Sequence, residues 1–491
     1  MRSLAYALSV HITLLSVPAL GSSVLAEIED KSTFVQNNVR DTSSYSTHDG
    51  FVDSNTFIAA ELRDLRKIPW SSRTTEQTER IRFLETQQRN ILEQFLDFIG
   101  SNDVQELIQS RHTSIDFKQD ILSEVRQLTH LRDNLRDIGN AVIISPLILE
   151  ESLELMLVTA DGPPEIYSIP IGQDEITTKI SDFQQLLSNR HSNPQPLAQE
   201  LYDLLFQPLE NALVASETET IIYAPNGLLR YIPISALHDG SQWLVEKYKI
   251  NYVNSSTLTD LNLRPRNEAT VLAGAFREGI HEIFLEETGL KLNGLPYAGI
   301  EVDFIQENFP STVFFDNDFS LAAILPLAND HSIVHLATHA SVIQGTPSDS
   351  FILFGNGDIL TEDELESWRG MLMNVDLVVL SACGTGNGLF AYLLHRAGAR
   401  SVLASLWNIS DSGTSELMKS FYKALKVNYL SEAEALRQAQ IALITGNQID
   451  TVSGERFVFI PRDVVREGGM PSSRLSHPYY WAPFVLIGNG L

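Results

Sequence analysis

The sequence predicts an α/β protein built on a mostly parallel sheet with helices on both faces, preceded by an N-terminal helical segment. Three observations predict it. Ile333-Val334-His335-Leu336-Ala337-Thr338-His339 and Val378-Val379-Leu380-Ser381-Ala382-Cys383 are almost continuously apolar, the pattern of strands buried on both faces of a parallel sheet. From Ala141 onward such runs alternate with helical stretches, as strand–helix–strand units do. From Glu76 to about Gly139, apolar residues instead recur every three to four positions, as on amphipathic helices.

Residues 1–26 read as an export signal. Arg2 supplies one positive charge, positions 4–20 are mostly apolar, and Val24-Leu25-Ala26 offers a cleavage site after Ala26. The run is short for a bilayer span and contains His11 and Pro18. The expected location is therefore periplasmic or extracellular, with no stable membrane insertion after signal removal. Residues 27–75, rich in Ser, Thr, Asp and Asn, read as a flexible lead-in. Residues 76–139 read as a helical hairpin or short bundle, interrupted at Gly100-Ser101-Asn102.

Residues 141–265 form one α/β half, a supporting unit. Strands are expected over 142–144, 153–158, 166–169 and 220–224, and helices over 175–188 and 197–213. A junction at Arg266 and Asn267 opens the second half, residues 268–491. There the expected strands cover 270–274, 312–315, the two long apolar runs, 401–406 and 484–487. Helices are expected over 298–307, 390–396, 414–426 and 433–444. Between the two long runs, Gly355-Asn356-Gly357-Asp358 signals a hairpin turn. Thr361 with Glu364, and Ser431 with Glu434, read as capping boxes.

Of the 491 residues, 43% are hydrophobic and 20% charged, which is ordinary globular composition. A net charge of −27 repels phosphate backbones and anionic lipid heads, so nucleic acid is not an expected partner. Protein or peptide substrates remain, and the sequence carries no signal for an oligomeric state. No cofactor is expected. Gly384-Thr385-Gly386-Asn387-Gly388 lacks the spacing of a dinucleotide loop, and there is no Gly-Lys-Ser or Gly-Lys-Thr loop. No metal is expected either: there is no His-Glu-x-x-His, and Cys383 is the one cysteine.

Ligands in open α/β sheets bind beyond the carboxyl ends of the strands, which is where both long runs finish. A thiol attacks a carbonyl as thiolate and needs a base, which a histidine on a neighbouring strand end supplies. Cys383 is the candidate nucleophile and His339 the candidate base. His335 has the same strand parity, and one of the two histidines could be a satisfied core residue; His339 is preferred because it stands where its run ends. The backbone N–H groups of Ala340 and Cys383 are candidate oxyanion donors. Against this, a cysteine after an apolar strand is more often simply buried.

Further motifs extend the picture. Asn226-Gly227-Leu228-Leu229-Arg230-Tyr231-Ile232-Pro233, the run ending in His339, and Leu380-Ser381-Ala382-Cys383 occur in this order. Ala397-Gly398-Ala399-Arg400-Ser401 with Val402-Leu403-Ala404-Ser405-Leu406-Trp407, and Tyr480-Trp481-Ala482-Pro483-Phe484, follow. Residues 141–491 on these motifs resemble the CHAT domain, a caspase-like cysteine peptidase module of clan CD type, bacterial and often joined to tetratricopeptide repeats. The resemblance implies peptide-bond hydrolysis, with the family's catalytic histidine on His339 and its nucleophile on Cys383. It also places an acid, Asp411, near the pocket for the side chain preceding the cut bond, where a carboxylate would favour Arg or Lys. The competing role for Asp411 is at a helix N-terminus. Two departures stand out. The loop after Cys383 is shorter than is usual in the family, and the N-terminal helices do not read as tetratricopeptide repeats. The short loop keeps a rival open, a catalytically weak or inactive interaction module, and a weaker third, an acyl transferase or other thiol hydrolase.

Overall fold

The computed structural model describes residues 131–491 except 162–163, 226, 254–259, 264–267, 286–287, 342–349, 383–388, 410, 427–429, 453–455 and 462–474. Before residue 131 it describes Thr74, Gln77 and Arg80 alone. The expected signal over 1–26, the lead-in over 27–75 but for Thr74, and most of the helical segment over 76–139 therefore lie outside the described residues. Residues 131–138 are helical.

The first strands are β1 (Ala141–Ile148), β2 (Leu153–Thr159), β3 (Glu165–Ile169), β4 (Thr220–Tyr223), β5 (Lys249–Tyr252) and β6 (Val271–Ala275). A hairpin of β7 (Ile280–Leu285) and β8 (Thr288–Asn293) comes next, then β9 (Ser311–Phe315) and β10 (Ile333–Ala337). A three-stranded patch of β11 (Ala340–Ser341), β12 (Phe351–Leu353) and β13 (Ile359–Thr361) follows, then β14 (Leu377–Ser381) and β15 (Ser401–Ser405). Last come the hairpin β16 (Asn447–Val452) with β17 (Arg456–Pro461), and β18 (Phe484–Gly488). The longer helices are α1 (Gln173–Leu187), α2 (Gln195–Leu205), α3 (Pro296–Asn308), α4 (Leu389–Arg396), α5 (Asp411–Leu425) and α6 (Glu432–Thr445).

Eleven strands make one mostly parallel sheet in the order β3-β2-β1-β4-β5-β18-β15-β14-β10-β6-β9. Contacts divide the chain into two units: residues up to 143 with 154–168 and 211–218, and the remainder. In the smaller unit the Ser168 hydroxyl donates to the buried Glu154 carboxylate at 2.8 Å. The larger unit carries every candidate site residue.

Within it, β10, β14 and β15 are fully buried along their whole length, as their apolar runs require. The β6–α3–β9 crossover travels one way along the sheet and the β14–α4–β15 crossover the other. Right-handed connections therefore put α3 and α4 on opposite faces. The direction of travel reverses next to β10, and a crevice opens at such a reversal.

Several details differ from the expectations. The single helix expected over 197–213 breaks after Leu205, because Pro208 has no N–H to continue the ladder. A 3-10 turn over Gln207–Leu209 and a short helix Glu210–Ala215 replace it. The Thr361–Glu364 capping box is complete, with both reciprocal bonds made. At Ser431 only half is present: Ser431 accepts from the Glu434 N–H, while the Glu434 carboxylate turns to Arg437 at 3.2 Å and to Gln438. The closing strand β18 runs antiparallel to β15 and parallel to β5. Strand β5 and the hairpins β7–β8 and β16–β17 were not expected.

Candidate active site at the carboxyl ends of the central strands

β10 and β14 are adjacent, parallel and in register, with Ile333 opposite Leu377 and Ala337 opposite Ser381. The pairing continues one step further, where the Thr338 N–H donates to the Ser381 carbonyl at 3.2 Å. His339 is thus the second residue beyond one paired end, and in sequence Cys383 is the second residue beyond the other. Cys383 itself lies outside the described residues, and Ala382 is the last one before it.

The two histidines of the first run separate cleanly. His335 is fully buried, and its Nδ1 shares a hydrogen bond with the Tyr422 hydroxyl at 3.0 Å. His339, at the end of the run, is partly exposed. Its Nε2 lies 2.7 Å from the backbone carbonyl of Asn293, the last residue of β8. A carbonyl oxygen only accepts, so Nε2 carries the proton and Nδ1 keeps a lone pair. Burial holds the imidazole below its ordinary pKa, against a smaller upward effect of the Asn293 bond. The ring also meets Phe276 edge-on, with centroids 6.1 Å apart. A neutral, oriented imidazole with one open nitrogen can take a proton.

Ala340 begins β11 opposite Ile352. The Leu353 N–H donates to the His339 carbonyl, so His339 and Leu353 are the hydrogen-bonded pair. Antiparallel pairs alternate, and the Ala340 N–H therefore turns away from β12, available to another acceptor.

Asp411 is the first residue of α5, yet its carboxylate serves a different helix. It accepts from the Tyr297 N–H at 3.0 Å. The Tyr297 N–H is an orphan donor in the first turn of α3, whose own N-cap, Leu295, has no capping side chain. Burial first, and the neighbouring Glu301 charge after it, push the Asp411 carboxyl up to about 6. A folded-state value above the unfolded 3.8 means that ionised Asp411 costs stability, with the cost appearing as pH rises through 6. Asn caps a helix as well as Asp does. Asp411→Asn is therefore expected to stabilise the protein by about 1–2 kcal/mol above pH 7, because solvent partly screens the ionised carboxylate. That gain should shrink towards zero near pH 4, in denaturant melts at both pH values.

A small cleft opens at these strand ends, lined by Leu295, Glu301, Thr338, Ser381, Ser405 and Asp411 among others. Glu301 is the residue that the sequence reading missed. It is 3% exposed on α3, and its Oε2 accepts from the Ser381 hydroxyl at 2.7 Å and faces His335 Nε2 at 3.4 Å. The signal was present in the spacing: Glu301 falls on the same helical stripe as Ala298, Val302 and Ile305, an acid where an apolar residue belongs. Among the described residues, no cluster of three or more His, Cys, Asp or Glu could hold a metal ion, and no helix is long and apolar enough to cross a membrane.

A family model described as the CHAT domain matches residues 195–489, well over half of the sequence. The chain belongs to the CHAT domain family. The CHAT match starts at α2 and takes in β4 to β18, so it includes His339, Cys383, Asp411 and Glu301. Among solved structures, the CHAT chain is similar to two of the Saccharomyces cerevisiae separase-securin complex, at 10% and 9% identity with TM-scores of 0.45 and 0.46. Those similarities cover 95% and 94% of this chain and 39% and 37% of the other. The chain thus spans about two fifths of their length. No curated protein matches it.

Proposed function

We propose that this CHAT chain is an exported caspase-like cysteine endopeptidase. The observation that carries the reading is the in-register pairing of β10 with β14. It gives His339 and Cys383 equal offsets, two residues each, beyond paired strand ends. Cys383 would attack the scissile carbonyl as its thiol proton passes to Nδ1 of His339, forming a tetrahedral oxyanion. That oxyanion would be met by the N–H groups of Ala340 and Cys383. The imidazolium then returns the proton to the leaving amine, and water hydrolyses the thioester. Membership of the family and the orientation of the His339 imidazole support the reading. The cleft beneath would hold the side chain preceding the cut bond, with Asp411 at its rim.

The test is incubation of the purified full chain with a peptide library. Cleavage is expected from the wild type and none from Cys383→Ala. In its native host the exported protein should begin at Glu27 by mass spectrometry. A wild type that binds peptides but leaves them intact would favour the interaction module instead.

A further inference from the structure

The structure assigns to Glu301 the recognition of a cationic side chain, lysine or arginine, entering the cleft at the ends of β10, β14 and β15. The inference rests on the peptidase reading for its substrate, and on the cleft alone for its chemistry.

An acid that is 3% exposed is ordinarily matched by a cation or by a full set of donors. Glu301 has neither. Its two close neighbours, the Ser381 hydroxyl and His335 Nε2, both approach Oε2. His335 Nε2 makes no hydrogen bond there, and its Nδ1 is engaged with Tyr422. Among the described residues no Lys or Arg pairs with Glu301. Oε1 accepts from no described donor and is not sealed from solvent, so it opens into the cleft that Glu301 lines.

Two other hydroxyls of the lining donate to backbone carbonyls. The Thr338 hydroxyl donates to the Leu353 carbonyl at 2.6 Å, and the Ser405 hydroxyl to the Ala382 carbonyl at 2.8 Å. With Ser381 donating to Glu301, every hydroxyl proton of these three residues is spent inward. What the Thr338 and Ser381 hydroxyls offer an incoming group is lone pairs. A ligand rich in N–H donors and positively charged satisfies such a site, and a carboxylate or an apolar tip does not. Ile409 and Phe484 supply apolar wall for a methylene stem.

Asp411 is the less suitable acid. Its carboxylate is committed to the Tyr297 N–H of α3, and it stands nearer the surface than Glu301. An entering side chain meets Asp411 at the rim and Glu301 at the floor, so the floor acid reads the charged tip.

The experiment uses matched peptides that differ only in the residue before the cut bond: arginine, lysine, citrulline or norleucine. The wild type should prefer the two cationic peptides. Glu301→Gln should lower kcat/KM on them about tenfold to a hundredfold, the value of a hydrogen bond to a charged group, while norleucine cleavage stays within about twofold. Asp411→Asn should lose less than about threefold. An undiminished cationic preference in Glu301→Gln, or an equal loss in Asp411→Asn, overturns the assignment. Binding of N-acetyl-arginine methylamide by ligand-observed NMR separates the two readings. If the wild type cleaves nothing but binds this probe, and Glu301→Gln does not, the peptidase reading fails and the recognition stands. Equal binding, or none by the wild type, sinks the recognition. If Glu301→Gln does not fold, Glu301→Asp decides: a withdrawn carboxylate should move the preference from lysine towards the longer arginine, and an unchanged ratio refutes the role.

Discussion

His339→Ala is expected to reduce peptide cleavage by about 10²- to 10⁴-fold with little change in KM, the usual value of a positioned general base. The wild-type rate should fall on the acid side below pH 6.5, because burial holds the imidazole below its ordinary value. Stability should follow the same direction. The unfolded chain binds a proton on His339 more readily than the folded one, so the folded state is favoured fully above pH 6.5. It loses that contribution as pH falls through the depressed folded value. Stopped-flow or steady-state rates between pH 4 and 8, beside denaturant melts at the same pH values, check both. An alanine variant retaining more than about a tenth of wild-type activity would remove His339 from the chemistry.

Gly294→Ala should be the most damaging single change to the support of that histidine. Gly294 follows Asn293, whose carbonyl orients the ring, and its N–H donates to the Gly279 carbonyl at 2.9 Å. A Cβ there would stand 2.5 Å from the Glu278 nitrogen and 2.6 Å from the Arg277 carbonyl oxygen, both backbone atoms. Backbone cannot swing aside as a flexible side chain can, so the strand end must move. The expected loss is about 1–3 kcal/mol of stability, with kcat falling further than that loss explains because Asn293 is displaced. Chemical denaturation and kcat at a temperature where the variant is fully folded separate the two effects. A variant with wild-type kcat would show that the Asn293 contact is dispensable.

How far the sequence reading reached depended on the kind of interaction. β10, β14 and β15 were legible because strands buried on both faces have no polar alternation to confuse them, and their short apolar runs end at recognisable turns. The Thr361 capping box was legible because both partners lie within one helical turn. β7 and β8 were missed because Ile280-His281-Glu282-Ile283 and Thr288-Gly289-Leu290-Lys291 mix polar and apolar residues without clear alternation. Their contribution to the site, the Asn293 carbonyl, is backbone, and no residue type announces it. Asp411 was seen as either a pocket acid or a cap of the helix it begins. It caps α3 instead, 114 positions away from Tyr297, a pairing that only the fold creates. Glu301 broke the apolar stripe of its helix, and that irregularity was the trace of the cleft.

The position of β18 has a bearing on how the molecule is made. It lies between β5 and β15, bonded to both, although β5 ends at Tyr252 and β18 begins only at Phe484. During synthesis, β5 and β15 emerge long before their shared neighbour, each presenting an open row of N–H and C=O groups to other chains. Closing the gap is a contact of very long sequence separation, the slow kind in folding. The sheet that carries His339 therefore joins the β4–β5 strands only after nearly all of the described chain has left the ribosome, and a nascent fragment ending before Phe484 keeps two sticky edges.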